Sequence, residues 1–426
     1  IGHSAYGEQP VLTQSRLSGL LQQPTVSAIH RDHEGILWIG TQEGLHRYDG
    51  ATLTVFNSDE SNNNWIPESE IKDIVEDSDG NLFIATSSGA LLRWSQRLAS
   101  FKPLIPLSLI GTTKIVRLLA SEDGSIWMLS KDGLYSFNQL SETGTEWNLN
   151  SELLKQIGIP RDILKDISGN LWLAGDMGIA CLLAKANLLL TFDTAKLGLP
   201  ENSSPTALGL LRDNKLIIGT DHGEMIIWDI EFSKSIVHAK LNNDYQTHIS
   251  KLLLYEDRLI IGTDRGLYLS NEQLSYIYGL AESEEGLSNP NIYSLFRDGK
   301  YIWVGTIDGL DILSFSPFEL FNTKNSGISE DILAFEEDFD GHLWVGTYDG
   351  LYSYNASTGS HSKLTINAKS AVQAQRISTI AAEKNALLLG MIRGGAIIID
   401  KITGNAKAQK LSSISNVGIT KILVID

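Results

Sequence analysis

The sequence has little of what disulfide scaffolds, membrane spans and nucleic-acid-binding surfaces are built from. Cys181 is its single cysteine, so the chain forms no intrachain disulfide, and the apolar neighbours of Cys181 favour a buried thiol. No apolar run approaches the roughly 20 residues that a membrane-spanning helix needs. Its 34 Lys and Arg residues are outnumbered by 51 Asp and Glu residues. Since no basic tract occurs either, binding to nucleic acid or to an anionic membrane surface is not expected.

Motifs of common catalytic sites are also missing. The nine histidines are scattered and form neither an H-x-x-x-H nor an H-E-x-x-H pair. The sequence contains no G-x-S-x-G elbow and no phosphate-binding G-x-x-x-x-G-K loop. We therefore expect no metal site, no cofactor and no catalytic residue. Carboxylates are abundant, so a pair of acids acting on a polysaccharide stays open as an alternative.

One sequence motif, called the phrase below, recurs every 41 to 45 residues along nearly the whole chain. Each copy ends in a glycine, and the nine closing glycines are Gly44, Gly89, Gly133, Gly178, Gly223, Gly266, Gly309, Gly350 and Gly394. Six residues before each glycine stands a large apolar residue, namely Trp38, Phe83, Trp127, Trp172, Ile217, Ile260, Trp303, Trp344 and Leu388. A fixed period in this range indicates an array of supersecondary units.

Each repeat reads as four short antiparallel strands. Two apolar-rich strands are joined by a polar turn such as Asp77 to Gly80, and the closing glycine fits a second turn with positive φ. The acids that recur in the first turn are typical of hairpins and lack the longer ligand series of a calcium loop. Four strands per repeat and no helical period predict an all-β chain built as a β-propeller.

The number of repeats predicts two domains. We expect a seven-bladed β-propeller in residues 1–316, followed by the first two and a half blades of a second, incomplete propeller in residues 317–426. Residues 11–17 are predicted to close the seventh blade as its outer strand, which removes an exposed sheet edge, and residues 318–322 precede the eighth repeat similarly. Residues 418–426 read as the opening strand of a tenth repeat, so we expect the natural protein to continue.

The phrase resembles the two-component regulator propeller repeat, whose pattern is roughly D-x-x-G-x-L-W-I-G-T-x-x-G-L-x-R-Y-D. Repeats one, seven and eight fit it best, and repeats five, six and nine lack the tryptophan. The resemblance covers residues 11–426. It implies the periplasmic sensor part of an inner-membrane receptor, either a two-component sensor kinase or a diguanylate cyclase, that works as a homodimer.

The turns between second and third strands are the predicted binding face. In propellers these turns and the inter-blade segments share the rim of a central channel, and loops on a rigid scaffold often bind ligands. The candidate ligand-binding residues on this rim are Gln42, Asp132, Asp176, His222, Arg265 and Asp308, with Trp65 from an Asn-rich inter-blade segment. His222 and Arg265 are expected to form one polar cluster with the acids that precede them. Trp65 either stacks on a sugar or packs onto its own blade.

These observations predict a non-catalytic, ligand-sensing ectodomain. An acidic rim with one arginine favours a neutral or cationic polar ligand, and a neutral glycan fits both that charge and the tryptophan. Two alternatives remain: a propeller lyase or hydrolase that acts on polysaccharides, and a protein-interaction scaffold, which would present a flat apolar patch.

Overall fold

The repeats fold into four-stranded antiparallel sheets. The computed structural model describes residues 9–422 except for 62–63, 106–113, 139–142, 147–149, 185, 187, 242–245, 282–285, 317–327, 329–330, 356–359, 367–375, 393–394, 404 and 408–417. The described residues contain nine such sheets, which we call blades 1 to 9 in the order of their inner strands. The predicted all-β fold with propeller-type blades is confirmed.

The first three blades follow a short N-terminal strand, β1 (Gln9–Gln14), and a 3-10 helix (Arg16–Leu20). Blade 1 contains β2 (Val26–Arg31), β3 (Leu37–Thr41), β4 (Leu45–Tyr48) and β5 (Leu53–Phe56). Blade 2 contains β6 (Ile71–Glu76), β7 (Leu82–Thr86), β8 (Leu91–Ser95) and β9 (Ser100–Ile105). Blade 3 contains β10 (Ile115–Ala120), β11 (Ser125–Ser130), β12 (Gly133–Asn138) and β13 (Thr143–Glu146).

Blades 4 to 6 repeat the meander, and two short helices lie in their connections: α1 (Asn150–Ile157) and α2 (Thr194–Leu197). Blade 4 contains β14 (Pro160–Lys165), β15 (Leu171–Gly175), β16 (Gly178–Leu183) and β17 (Leu188–Asp193). Blade 5 contains β18 (Pro205–Leu210), β19 (Lys215–Thr220), β20 (Glu224–Asp229) and β21 (Lys234–Lys240). Blade 6 contains β22 (Ile249–Tyr255), β23 (Arg258–Thr263), β24 (Gly266–Asn271) and β25 (Ile277–Ala281).

Blade 7 joins the two ends of the first array. It contains β26 (Ile292–Asp298), β27 (Tyr301–Thr306) and β28 (Gly309–Ser316), and its outer strand is β1. The inner strand of each blade packs against that of the next, and β26 packs against β2, so blades 1 to 7 contact one another in a ring. The predicted strand 11–17 is shorter than expected, because Ser15 caps the 3-10 helix and Leu17 is buried within it. Ser18 then clamps this helix to β28, since its hydroxyl donates to Leu310 O at 2.7 Å.

Two further blades follow in the second unit. Blade 8 contains β29 (Ile332–Glu337), β30 (His342–Thr347), β31 (Leu351–Asn355) and β32 (Ser360–Leu364). Blade 9 contains β33 (Ile377–Ala382), β34 (Ala386–Met391), β35 (Ala396–Asp400) and β36 (Ala406–Lys407). Contacts divide the chain into two compact units, one of residues 10–316 and one that contains the blades after it. Two propellers in the intact protein stay a prediction, and residues 318–322 lie outside the described ranges.

The closing glycines have the predicted backbone conformation. Eight of them are described, and their φ angles lie between 75° and 157°. At Gly178 a side chain is excluded by space as well, because a Cβ atom there would lie 2.3 Å from Phe192 O. The turn between the second and third strands therefore depends on glycine.

A second glycine sets the distance between consecutive blades. A Cβ atom on Gly40 of β3 would lie 2.6 Å from Ile71 Cγ2, where Ile71 begins the inner strand of blade 2. Beside this contact, Ser27 Oγ donates to Ile71 O at 2.6 Å and to Gly40 O at 3.1 Å. The same glycine contact recurs at five other places: Gly219 with Ile249, Gly262 with Ile292, Gly305 with Val26, Gly346 with Ile377, and Gly390 with Ile419. Ile419 thus occupies the place where the next inner strand begins, as the tenth repeat predicts.

A carboxylate and an indole hold the first hairpin of several blades. Asp32 Oδ1 accepts hydrogen bonds from the N–H groups of Glu34 and Ile36, and its Oδ2 accepts from Trp38 Nε1 at 2.7 Å. Three further blades have the same pair at 2.9 Å: Asp166 with Trp172, Asp298 with Trp303, and Asp338 with Trp344. These turn acids are therefore structural, and the turn interpretation of the acidic hairpins agrees with the geometry.

Trp127 is less buried than the other tryptophans at this position of the repeat. It is only partly buried, whereas Trp38 is fully buried and Trp172 is 2% exposed. Six residues before Trp127 stands Ser121, so blade 3 lacks the carboxylate that binds the indole elsewhere. The ring instead lines a cavity between blades 3 and 4.

We expect Trp172→Ala to lower the free energy of unfolding by roughly 3–5 kcal/mol, because the substitution empties a large buried site and removes the partner of Asp166. Urea unfolding followed by circular dichroism measures the change. Trp65→Ala is the matched control, since Trp65 is 40% exposed, and it should stay within about 0.5 kcal/mol of the parent. Equal stability of Trp172→Ala and the parent would contradict the packing described here.

His46 is a buried histidine in the first unit that favours the neutral ring. It lies on β4 opposite Ile39, it is 0% exposed, and neither ring nitrogen makes a well-aligned hydrogen bond. Burial lowers the pKa of His46 from 6.5 to about 4, although the carbonyl groups of Ile39 and Gly44 act in the opposite direction. The unfolded chain therefore binds a proton at a higher pH than the folded one does.

This difference predicts acid sensitivity. The contribution of His46 to stability is complete above its unfolded pKa of 6.5 and is lost as the pH falls towards about 4. When the pH falls from about 7.5 to about 5, we expect the melting temperature of His46→Leu to fall less than that of the parent. The difference corresponds to at most about 3 kcal/mol in the free energy of unfolding. Differential scanning calorimetry at both pH values tests this, with the exposed His361→Leu as control. Identical pH dependence of parent and His46→Leu would refute it.

Candidate ligand-binding rim

A buried hydroxyl and one backbone hydrogen bond build most turns of the rim. Thr263 Oγ1 donates to Gly266 O at 2.8 Å and accepts from Arg265 N at 3.0 Å, which closes the turn after β23. The first turn residue, Asp264, donates its N–H to His248 O at 3.1 Å, just before the next inner strand. The same backbone bond joins Ser87 to Glu70, Lys131 to Lys114, Asp176 to Ile159, Asp221 to Ser204 and Ile307 to Asn291. The turns and the inter-blade segments therefore share one rim, as predicted.

Blades 5 and 6 carry a cluster of histidines and carboxylates on this rim. Asp221 Oδ1 accepts from Ser204 N at 2.7 Å and lies 2.8 Å from His222 Nδ1. Asp264 Oδ1 accepts from His248 N at 2.9 Å. Burial lowers the pKa of His248, while the charges of Asp264 and Asp221 act to raise it. His248 therefore lies within electrostatic range of the turn acids of two blades.

Arg161 extends the cluster to blade 4. Its Nε donates to Asp176 Oδ1 at 2.6 Å, and its charge acts to lower the pKa of His248. Sequence reasoning predicted Asp176 and the acids beside His222 and Arg265, but it missed Arg161 and His248. Arg161 lies on β14 and His248 immediately before β22, whereas all the predicted rim residues except Trp65 lie in turns between second and third strands. Each of them is a neighbour of the residue with which an inner strand begins, and this position in the sequence could have identified them.

The other predicted rim residues form hydrogen bonds within their own blade or with the segment that precedes it. Gln42 Oε1 accepts from Gln23 Nε2 at 3.4 Å, and Asp132 accepts a hydrogen bond from Ser130 Oγ. Arg265 Nε donates to Gln246 O at 3.2 Å, which holds the guanidinium along the segment before blade 6. Asp308 N donates to Thr306 Oγ1 at 3.2 Å. Their roles in ligand binding stay predictions.

Trp65 is held on blade 1 by its backbone. It forms an isolated bridge with Asn57, and the following residue, Ile66, donates its N–H to Asn57 O at 2.9 Å and is fully buried. The Trp65 side chain itself is 40% exposed. The segment is therefore anchored by Ile66, and the indole of Trp65 is accessible to a ligand.

Below the rim, three successive inner strands carry a chain of buried charges. Arg117 Nε donates to Asp162 Oδ1 at 3.0 Å, and its Nη1 lies 3.8 Å from Asp73 Oδ2. Asp73 also accepts from Leu118 N at 2.8 Å, and Asp162 from Leu208 N at 2.9 Å. Burial raises the pKa of both carboxyls, and the Arg117 charge opposes this. Because both acids bind the neighbouring blade, they link blades and are poorly placed as a free acid pair.

Three cavities lie away from the rim, beside the first hairpins of the blades. Their volumes are about 260 Å³ between blades 1 and 2, about 350 Å³ between blades 3 and 4, and about 600 Å³ between blades 8 and 9. None of the seven predicted site residues is among their lining residues. Within the described ranges, no three His, Cys, Asp or Glu side chains are grouped to hold a metal ion. The Cys181 thiol is buried, which raises its pKa to about 12.

Comparison with protein families identifies the repeat. The family model described as two component regulator propeller matches residues 19–43, 66–88 and 326–349, which are the cores of repeats one, two and eight. Three of the repeats therefore match the two-component regulator propeller. Repeat seven, which was expected to fit among the best, is not among the matched segments. No curated protein matches the chain.

Solved structures share this fold at low sequence identity. A chain named the extracellular domain of a hybrid two-component system from B. thetaiotaomicron superposes with a TM-score of 0.69 and 18% identity, over 89% of this chain and 52% of that one. A second such domain from B. thetaiotaomicron gives 0.57 and 18%, over 94% and 53%. Virginiamycin B lyase from Staphylococcus aureus gives 0.57 and 12%, over 72% and 99%. The chain thus spans about half the length of the extracellular domains it matches.

No helix in the described ranges is both long and apolar enough to cross a membrane.

The charge chain between blades makes a testable prediction. Arg117→Met leaves Asp73 and Asp162 buried without their shared cation, so we expect a loss of roughly 3–5 kcal/mol in the free energy of unfolding. The triple variant Asp73→Asn/Arg117→Met/Asp162→Asn removes all three charges and should be more stable than Arg117→Met alone. Urea unfolding at neutral pH compares the variants. A triple variant as unstable as the single one would show that the charge balance is not the cause.

Proposed function

We propose that this chain is the ligand-binding part of the extracytoplasmic sensor of a bacterial membrane receptor, periplasmic and non-enzymatic, which works as a homodimer in the intact protein. The repeat family and the extracellular domains that share the fold support this proposal. The observation that carries the ligand site is the rim cluster of blades 4 to 6, where His248 lies among the charges of Asp221, Asp264 and Arg161.

The chemistry of this cluster fits a neutral, hydroxyl-rich ligand, and a glycan is our candidate. Arg161 is paired with Asp176, so part of the local charge is compensated before a ligand arrives, and His222 Nδ1 lies 2.8 Å from Asp221 Oδ1. Sugar hydroxyls both donate and accept, and they match a surface that offers carboxylates, imidazoles and a guanidinium side by side. A ligand that binds one arrangement of the receptor better than another then shifts the population of the two arrangements.

Isothermal titration with a panel of neutral oligosaccharides tests the site. We expect the double variant His222→Ala/Arg265→Ala to weaken binding of any sugar that binds the parent by roughly 10- to 100-fold, because two polar contacts are lost. Glu122→Ala, on the opposite face of the ring, is the matched control and should bind like the parent. A sugar that binds the parent and the double variant equally would place the site elsewhere.

An enzyme that cleaves or eliminates polysaccharide is the second candidate. One observation favours it: His248 is a partly buried imidazole on which the charges of Asp264 and Asp221 act, an arrangement that can serve as a general base. Incubation of the chain with the same oligosaccharides, followed by mass spectrometry of the products, separates the two functions. A sensor leaves the sugars intact, whereas turnover that is abolished by His248→Ala would establish the enzyme.

A further inference from the structure

The largest of these three cavities lies between blades 8 and 9 and contains a buried cation. Its lining includes the hairpin of blade 8 from Asp338 to Trp344, the Lys384–Asn385 turn and the turn that begins at Asp400. Lys401, the first residue after β35, is 8% exposed in its side chain. An ammonium group buried to this degree is costly unless its N–H bonds find acceptors.

The ammonium group of Lys401 has one charged neighbour and unused donors. Its Nζ lies 3.1 Å from Asp338 Oδ2, and this ion pair engages at most one of the three N–H donors of the ammonium group. That carboxylate already accepts from Trp344 Nε1, from His342 N and from Asp340 N. Because an ammonium carries three N–H donors, Lys401 can donate to a molecule that enters the cavity.

The equivalent cavities in the first unit are lined by the partly buried Lys165 and Arg47, but neither has a cation at the position of Lys401. The residue that follows the third strand is Gln96 between blades 1 and 2 and Ala184 between blades 3 and 4. Gln96 Nε2 is occupied, since it donates to Glu34 of the previous blade. Among these three cavities, the one in the second unit thus combines the largest volume with a buried cation.

We propose that this cavity binds a small, neutral, polyhydroxylated molecule, such as a mono- or disaccharide, through a hydroxyl oxygen that accepts from Lys401 Nζ. The site is separate from the rim and does not depend on the proposed sensor function. Asp338 balances the charge of Lys401, so a neutral ligand is favoured over an anion. At the mouth, the exposed carboxylate of Asp340 and the exposed side chains of Lys384 and Asn385 offer further acceptors and donors. The volume of about 600 Å³ falls within the range of small-molecule sites.

Ligand-detected NMR with glucose, galactose, maltose and lactose tests this proposal. The 426-residue chain carries His222→Ala/Arg265→Ala throughout, so that the rim does not contribute. We expect at least one of the four sugars to bind, and Lys401→Met to weaken that binding by roughly 10- to 100-fold, the effect of losing a hydrogen bond to a charged donor. Gln96→Met, at the equivalent place in the first unit, should bind like the parent.

A second variant keeps the test decisive if Lys401→Met disturbs the fold. Asn385→Trp places a bulky ring at the mouth and leaves Lys401 and Asp338 unsubstituted. It should abolish binding because the ring blocks the entrance. Hydrogen exchange should show sugar-dependent protection in residues 384–402. The proposal is overturned if none of the four sugars binds the folded chain, or if Lys401→Met and Asn385→Trp both bind like the parent.

Discussion

The close contact between a glycine of one blade and the first residue of the next is the constraint on which the array depends. Gly40 has no room for a Cβ atom because Ile71 packs against it, and Ser27 ties the two together by donating to both carbonyl groups. A contact of this kind fixes both the spacing and the depth of the inner strands. It therefore explains why the second strand of the repeat ends in a Gly-Thr pair: the glycine receives the next blade, and the threonine hydroxyl closes the turn on the rim.

Blades 2 to 4 depart from this rule, and there charged groups take over the link. Ala85, Leu129 and Ala174 stand in place of the glycine, and Asp73, Arg117 and Asp162 face the neighbouring inner strands. Backbone N–H groups of the next blades donate hydrogen bonds to the Asp73 and Asp162 carboxylates. At the glycine contacts the link runs the other way, because a hydroxyl such as that of Ser27 donates to a carbonyl oxygen of the next blade. A charged link is sensitive to the loss of one member, whereas the glycine link is sensitive to added volume. The same ring thus contains two kinds of joint between blades.

Much of the fold could be predicted from the sequence because the same local pattern of residues recurs in every repeat. The nine closing glycines and the residues six positions before them predicted the strand order, and the described glycines have the positive φ that the turn requires. The partial exposure of Trp127 was not predicted, since the loss of the Asp partner at Ser121 affects one blade only. Arg161 and His248 were missed for a related reason. Their side chains are not part of the repeated pattern, and only the packing of neighbouring blades brings the charges of Arg161 and Asp221 within range of His248.

Both proposed sites lie where the repeat is broken. Positions that obey the repeat, such as Asp338 with Trp344, are consumed by hydrogen bonds within the hairpin. Positions that vary between repeats carry polar groups that do not form all their hydrogen bonds within the hairpin. The rim histidines and Lys401 are examples. A rigid array can tolerate such groups because the glycine and hydroxyl contacts fix the strands independently of them. The two proposed sites differ in how the fold supports them: the rim cluster draws on several blades of a ring, whereas the Lys401 cavity needs only one pair of adjacent blades.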